Sequence, residues 1–312
     1  MHAFSIAVEI LAGGAVITAF GAGLIERAYP PRGRFVEIDG LPQHVVEVGP
    51  AVAADKTPPI VLIHGAGCNL EDMRLSLGDR LAAHRRIILV DRPGHGWSRR
   101  GEQGSSPRCQ AAMVRAVLER LGISRAVVVG HSWGGALATR LALDDPQRVC
   151  GLVLLAPPLY PLRRRTTWFY EIMAMPFLGW LIAHTVLLPI GLVFIGIGFR
   201  GAFLPQMPPR HYLKRAGTLL SLRPKTFLAS ARDIAHLKRN LPSQAERYAT
   251  LKMPTVIMTG DCDLIVAPQR HALAFAKAVP GAKLVVLPHI GHMLHHVAAD
   301  RVIAEIEALA TT

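Results

Sequence analysis

Cysteine and acidic residues are both scarce in this chain, and each shortage narrows what the protein can be. The 312 residues include four cysteines, Cys68, Cys109, Cys150 and Cys262, with no CxxC pair and no regular spacing. That speaks against a disulfide framework and against a zinc site, and makes free thiols in a reducing compartment the expectation. Asp and Glu number 22 against 35 Lys and Arg, a formal charge of +13. An excess of this size invites a nucleic-acid partner. The arginines are scattered, however, and aromatics are not interleaved with them, so no nucleic acid is expected. The one basic run, Arg163-Arg164-Arg165, lies just ahead of an apolar stretch, where it suits an anionic lipid surface or a solvated loop. No internal repeat is present.

What the chain has in quantity is apolar residues, 51% of the total, and they gather in two places, residues 4–25 and 172–199. The first, "FSIAVEILAGGAVITAFGAGLI", has the length of a bilayer span with only Glu9 against it. A cleaved signal peptide would carry a basic n-region, which is missing here, and a shorter apolar run. The expectation is therefore an uncleaved N-terminal transmembrane helix, residues 1–28, with membrane lipids as partners. Arg27, Arg32 and Arg34 follow it while only His2 precedes it, which places the remainder in the cytoplasm.

After a "YPPRG" linker, residues 34–48 alternate as an antiparallel hairpin would. Short Val/Ile/Leu runs then alternate with helical patterns over residues 70–83, 106–121, 133–143, 268–279 and 294–309. Runs without alternation fit strands covered on both faces, so the fold class is α/β, a doubly wound and mostly parallel sheet. Between "LLAPP" and "PTVIMTG" about ninety residues carry helical patterns and no strand, more than a crossover needs, and read as an inserted helical cap. The expected division is 34–158 and 252–312 for the two parts of the core, and 159–251 for the cap.

The special residues fall at strand ends, where ligands collect in such sheets. "GHSWG" follows a strand and opens a helix, the context in which G-x-S-x-G marks a strained turn that lifts its serine into a cleft. Ser132 is the candidate nucleophile, with Gly130, His131 and Gly134 shaping the turn and the Trp133 amide aimed where an oxyanion would form. In "HIGHMLHH", His292 is the candidate base. His289, His295 and His296 raise the thought of a metal cluster, but no carboxylate or cysteine pattern accompanies them, so no metal is expected and His295 and His296 read as residues of the following helix. "TGDCDLIVAP" offers Asp261 and Asp263 as the orienting acid. "HGAG" supplies a second oxyanion amide, Ala66, on a loop shaped by His64 and Gly65.

Together His64–Gly67, the "DRPGHGWS" of residues 91–98, Gly130–Gly134, "GDCDLIVAP" and Gly291-His292 resemble the α/β-hydrolase superfamily, specifically capped esterases and cofactor-free haloperoxidases. The resemblance implies the triad acid at Asp263, leaving Asp261 as a turn or capping residue, and implies acyl transfer through Ser132 without a cofactor. The expected function is hydrolysis of a carboxylic ester, a lipophilic small molecule. Thioester, amide or C–C bond hydrolysis, a lyase or acyltransferase reaction, and a non-catalytic ligand-binding module stay open. For residues 172–199, Pro176 and Pro189 are expected to break a second span into pieces too short to cross. The stretch then reads either as a buried cap core or as helices lying in the bilayer interface that admit a lipophilic substrate.

Overall fold

A computed structural model describes residues 2–50, 57–101, 104–162 and 164–311. Arg163 of the basic run lies outside the described residues. Eight strands form one sheet: β1 (Arg34–Ile38), β2 (Leu41–Val48), β3 (Ile60–Ile63), β4 (Ile87–Val90), β5 (Ala126–His131), β6 (Val149–Leu155), β7 (Thr255–Gly260) and β8 (Lys283–Leu287). Their order is β1-β2-β4-β3-β5-β6-β7-β8. The hairpin β1–β2 pairs antiparallel with β4, and every remaining pair is parallel.

The strands read as continuous apolar runs because both faces are covered. Val61, Ile63, Ile88 and Val90 pack with the helices Pro107–Arg120, Trp133–Asp144 and Ala272–Ala278. Their strand neighbours Ile60, Leu62, Ile87 and Leu89 pack on the opposite side with residues 70–81 and the helix Ala299–Ala310. Alternate Cβ atoms of one strand thus feed two cores.

Three helices depart from the sequence pattern. Residues 70–81 contain a π-helical segment, Arg74–Gly78. The helix expected from 268 begins at Ala272. The one expected over 294–309 splits into Leu294–Val297 and Ala299–Ala310, because Ala298 leaves the helical region at φ −122°, ψ 40°.

Between β6 and β7 the described residues contain helices and no strand. Arg164–Met173, Pro176–Thr185, Leu187–Phe203 and Pro224–Ala245 are the main ones. The apolar stretch is broken at Val186, where the two middle helices bend by 77°. Pro189 does not break it, contrary to expectation: it sits in the first turn of its helix, where the backbone N–H has no intrahelical acceptor to lose. The N-terminal helix His2–Ala28 contains a 21-residue stretch, Val8–Ala28, long and apolar enough to cross a membrane.

Candidate active site

β5 ends at His131, and Ser132 follows at φ 50°, ψ −123°, a positive-φ turn that a non-glycine residue adopts only under strain. Small neighbours make the turn possible. A Cβ on Gly130 would overlap Gly134, and one on Gly134 would overlap the carbonyls of Ile63 and His64. β3 and β5 pair Ile63 with Gly130, so the His64–Gly67 loop is held beside the serine.

Ser132 Oγ lies 2.9 Å from His292 Nε2, and His292 Nδ1 lies 2.8 Å from Asp263 Oδ2. The other carboxylate oxygen of Asp263 accepts the backbone N–H groups of Ile265 and Val266 at 2.8 and 2.9 Å. That fixes its orientation and leaves Oδ2 for the imidazole. Asp261, two residues earlier after the same strand, is exposed, and the His292 Nδ1 bond goes to Asp263. The three side chains come from the ends of β5, β7 and β8, and the arrangement can pass a proton from the hydroxyl to the imidazole. Ala66 and Trp133 line the same cavity as Ser132 and His292. Trp133 is the first residue of its helix, so its N–H has no intrahelical acceptor.

The His64–Gly67 loop rests on a buried cation that the sequence reading did not single out. Arg92 donates from Nε to the His64 carbonyl at 3.1 Å and from Nη2 to the Gly65 carbonyl at 3.2 Å. Its guanidinium lies 4.2 Å from the Trp133 ring centroid. Asp233, from the cap helix Pro224–Ala245, pairs with Arg92 at 2.7 Å and also binds Arg100 and, at 2.9 Å, Gln110. Trp133 Nε1 donates to the Asp233 carbonyl at 3.2 Å. Burial, then the charge of Arg92, pushes His64 down to about 4. It is therefore neutral, with Nε2 accepting the Arg92 backbone N–H at 3.0 Å. Arg92 lay within the "DRPGHG" signal, whereas no local pattern marks Asp233.

A second correction concerns the histidines after His292. His295 and His296 do lie in the helix Leu294–Val297, but both also reach Asp72, at 3.0 and 2.8 Å, and Tyr212 donates to the same carboxylate at 2.7 Å. This carboxylate comes from 223 residues upstream of His295. Burial opposes its ionisation, but the two imidazoles hold the Asp72 carboxyl well below the usual range. Burial pushes His295 down to about 4. His131, expected to shape the site, lies against both His292 and His295 in tilted contacts, with ring centroids at 4.9 and 4.0 Å, and burial keeps it neutral. Asp72, His131 and His295 bring one possible ligand atom each within 4.8 Å of the others. The Asp72 oxygens are already engaged by two imidazoles and a phenol.

A sequence model of the alpha/beta hydrolase fold matches residues 58–299, well over half of the chain. The chain belongs to the α/β-hydrolase fold family. This hydrolase is similar to the pimeloyl-[acyl-carrier protein] methyl ester esterase of Nitrosospira multiformis, 29% identical over 261 residues, which span 81% of this chain and 94% of that one. A stretch of 124 residues is 34% identical to the dihydrolipoyllysine-residue acetyltransferase component of the acetoin cleaving system of Cupriavidus necator. It covers 40% of this chain and 32% of that protein, so the match spans about a third of the relative's length. Among solved structures, an esterase from Exiguobacterium antarcticum superposes with a TM-score of 0.73 at 20% identity, over 90% of this hydrolase and all of the esterase. At that identity the likeness is one of fold.

Proposed function

We propose that this hydrolase cleaves a lipophilic carboxylic ester through an acyl-enzyme on Ser132. The observation that carries the reading is the unbroken relay from Ser132 Oγ to His292 at 2.9 Å and on to Asp263 at 2.8 Å. His292 Nε2 takes the hydroxyl proton as Oγ bonds to the ester carbon, and the carbonyl oxygen gathers negative charge against the N–H groups of Ala66 and Trp133. The tetrahedral centre collapses, the C–O bond to the alcohol breaks, and His292 returns the proton to the departing oxygen. Water then attacks the acyl-enzyme with His292 again as base, and the acid leaves. Asp263 keeps His292 in the tautomer that presents Nε2 to the serine.

The ester bond is supported by the Nitrosospira relative, named as a methyl ester esterase and aligned over most of both chains. A lipophilic acyl or alcohol part is supported by the cavity of about 460 Å³ over Ser132, walled by Leu162, Ile195, Phe199, Phe227, Ile234 and Leu237. The helix His2–Ala28 serves as a membrane anchor, and Arg27, Arg32 and Arg34 after it support a cytoplasmic catalytic domain. A fluorophosphonate should label the wild type and leave Ser132→Ala unlabelled, and a series of esters should be cleaved faster as the acyl chain lengthens. Equal labelling of both proteins would remove Ser132 from the mechanism.

A further inference from the structure

We infer that the N-terminal helix and the two central cap helices enter the bilayer as one unit, so that the cavity over Ser132 receives its ester from the adjoining leaflet. The inference rests on the esterase reading above and names where its substrate resides.

The helix Leu187–Phe203 is apolar on two faces. Ile195, Gly198, Phe199 and Ala202, at i, i+3, i+4 and i+7, line the catalytic cavity. Ile190, Val193, Phe194 and Ile197, at the same spacing on another face, point outward, with Val193 71% and Ile197 68% exposed. Apart from exposed Arg200 in its last turn, this helix is apolar all round, a pattern that belongs inside a protein or inside a membrane, and among the described residues its outward face has no protein against it. Pro176–Thr185 continues the outward surface through Trp180, Leu178 and Phe177, the last 77% exposed. Soluble monomers rarely leave a contiguous apolar surface of this extent to water.

The N-terminal helix meets these two helices along a seam of small residues. A Cβ on Gly14 would overlap the carbonyl of Thr185, and one on Gly21 would overlap the Leu188 side chain. Thr18 is buried between them, and Ile25 closes the seam against Leu188 and Leu220. The large side chains Ile10, Val16, Ile17, Phe20 and Leu24 face away from it. A helix pair with glycines inside and bulky apolar groups outside buries little hydrophobic area. It is the arrangement of helices packed in lipid, where close backbone approach drives association.

The dimensions and charges agree with one leaflet. From Gly14 to Ile25 the helix rises about 16 Å, close to half of a hydrocarbon core about 30 Å thick. Where the seam ends, Glu26 is bound to Arg223 and Lys225. A hollow of about 630 Å³ opens directly after it, lined by Arg32, Lys214 and Arg215. Its acids are already engaged, Glu71 and Asp79 by Arg74 and Asp91 by His44. Exposed cations at the edge of an apolar surface suit the anionic headgroups of a leaflet.

The test uses the full chain reconstituted in vesicles of phosphatidylcholine and phosphatidylglycerol. Two double variants are compared with the wild type: Val193→Asp with Ile197→Asp, which charges the outward face, and Gly14→Leu with Gly21→Leu, which pries the seam apart. Both should keep fluorophosphonate labelling and hydrolysis of a short ester dissolved in water. Hydrolysis of a long-chain ester dissolved in the vesicles should fall at least about tenfold, since charge at this depth opposes insertion by more than a decade. Brominated phosphatidylcholine should quench wild-type fluorescence by an amount that Trp180→Phe removes. Should the glycine variant not label, the aspartate variant decides alone. Equal activity on the vesicle ester in wild type and variants overturns the inference, as does cross-linking of Phe194→Cys into a dimer through this face. Loss of the esterase reading has a different signature, a wild type that neither labels nor cleaves the soluble ester.

Discussion

His271 shows how one buried side chain acquires a charge preference from its partners. Its Nδ1 accepts the backbone N–H groups of Leu159 and Tyr160 at 3.1 and 3.2 Å, so it holds the start of the cap only while unprotonated. Burial, then the charge of Arg270, pushes it down to about 4. In the unfolded chain its value is about 6.5, so the unfolded state binds the proton first. The stabilisation is complete above about pH 6.5 and is lost as pH falls from there towards 4. The stability gap between wild type and His271→Leu, measured by urea unfolding, should therefore narrow between pH 7 and pH 5; a gap independent of pH would show that the ring is not required to be neutral. His292 and Ser132 were legible in the sequence because each follows an apolar run at a glycine-marked turn, His292 directly after Gly291 and Ser132 midway between Gly130 and Gly134. His271 was not, since its partners lie more than a hundred residues away.

Among the elements, the cap helix Pro224–Ala245 matters most for the chemistry. Asp233 on that helix neutralises Arg92, and Arg92 carries the two carbonyls that set the Ala66 loop. The pair is fully buried on both sides. Removing one member strands the other charge, at a cost of about 3–5 kcal/mol, whereas replacing both by apolar residues costs far less. Asp233→Leu alone should lower Tm markedly, and Arg92→Met with Asp233→Leu should recover part of it, since Arg100 and Gln110 still lose the carboxylate. Activity should not follow, because the His64 carbonyl loses its Arg92 donor and the Gly65 carbonyl keeps only the His64 ring N–H. A double variant with wild-type kcat/KM would reduce Arg92 to a structural role. Strands and their order were readable from continuous Val/Ile/Leu runs ending at special residues. The cap's internal contacts were not, because helical periodicity reports a buried face without saying what is buried against it.

For the molecule as a whole, the two large cores of the sheet contain, among the described residues, none before Val36, whereas Ile25 packs in a separate cluster with Leu188, Leu220 and Leu222. A chain lacking residues 2–28 should thus keep its sheet and its fluorophosphonate labelling, but should need detergent to stay dispersed, because the cap seam is uncovered. Loss of labelling in detergent would mean that the N-terminal helix is part of the catalytic fold. By itself the sequence determined the alternation of strands and helices, the strained serine turn and the apolar N-terminal helix, because each is written in local spacing and residue type. Tertiary structure alone decided that Asp72 meets His295 and His296, that Asp233 reaches Arg92, and that Gly14 and Gly21 lie against the cap. These contacts join side chains from elements distant in the chain, and only the packing of the sheet and its cap brings them within bonding distance.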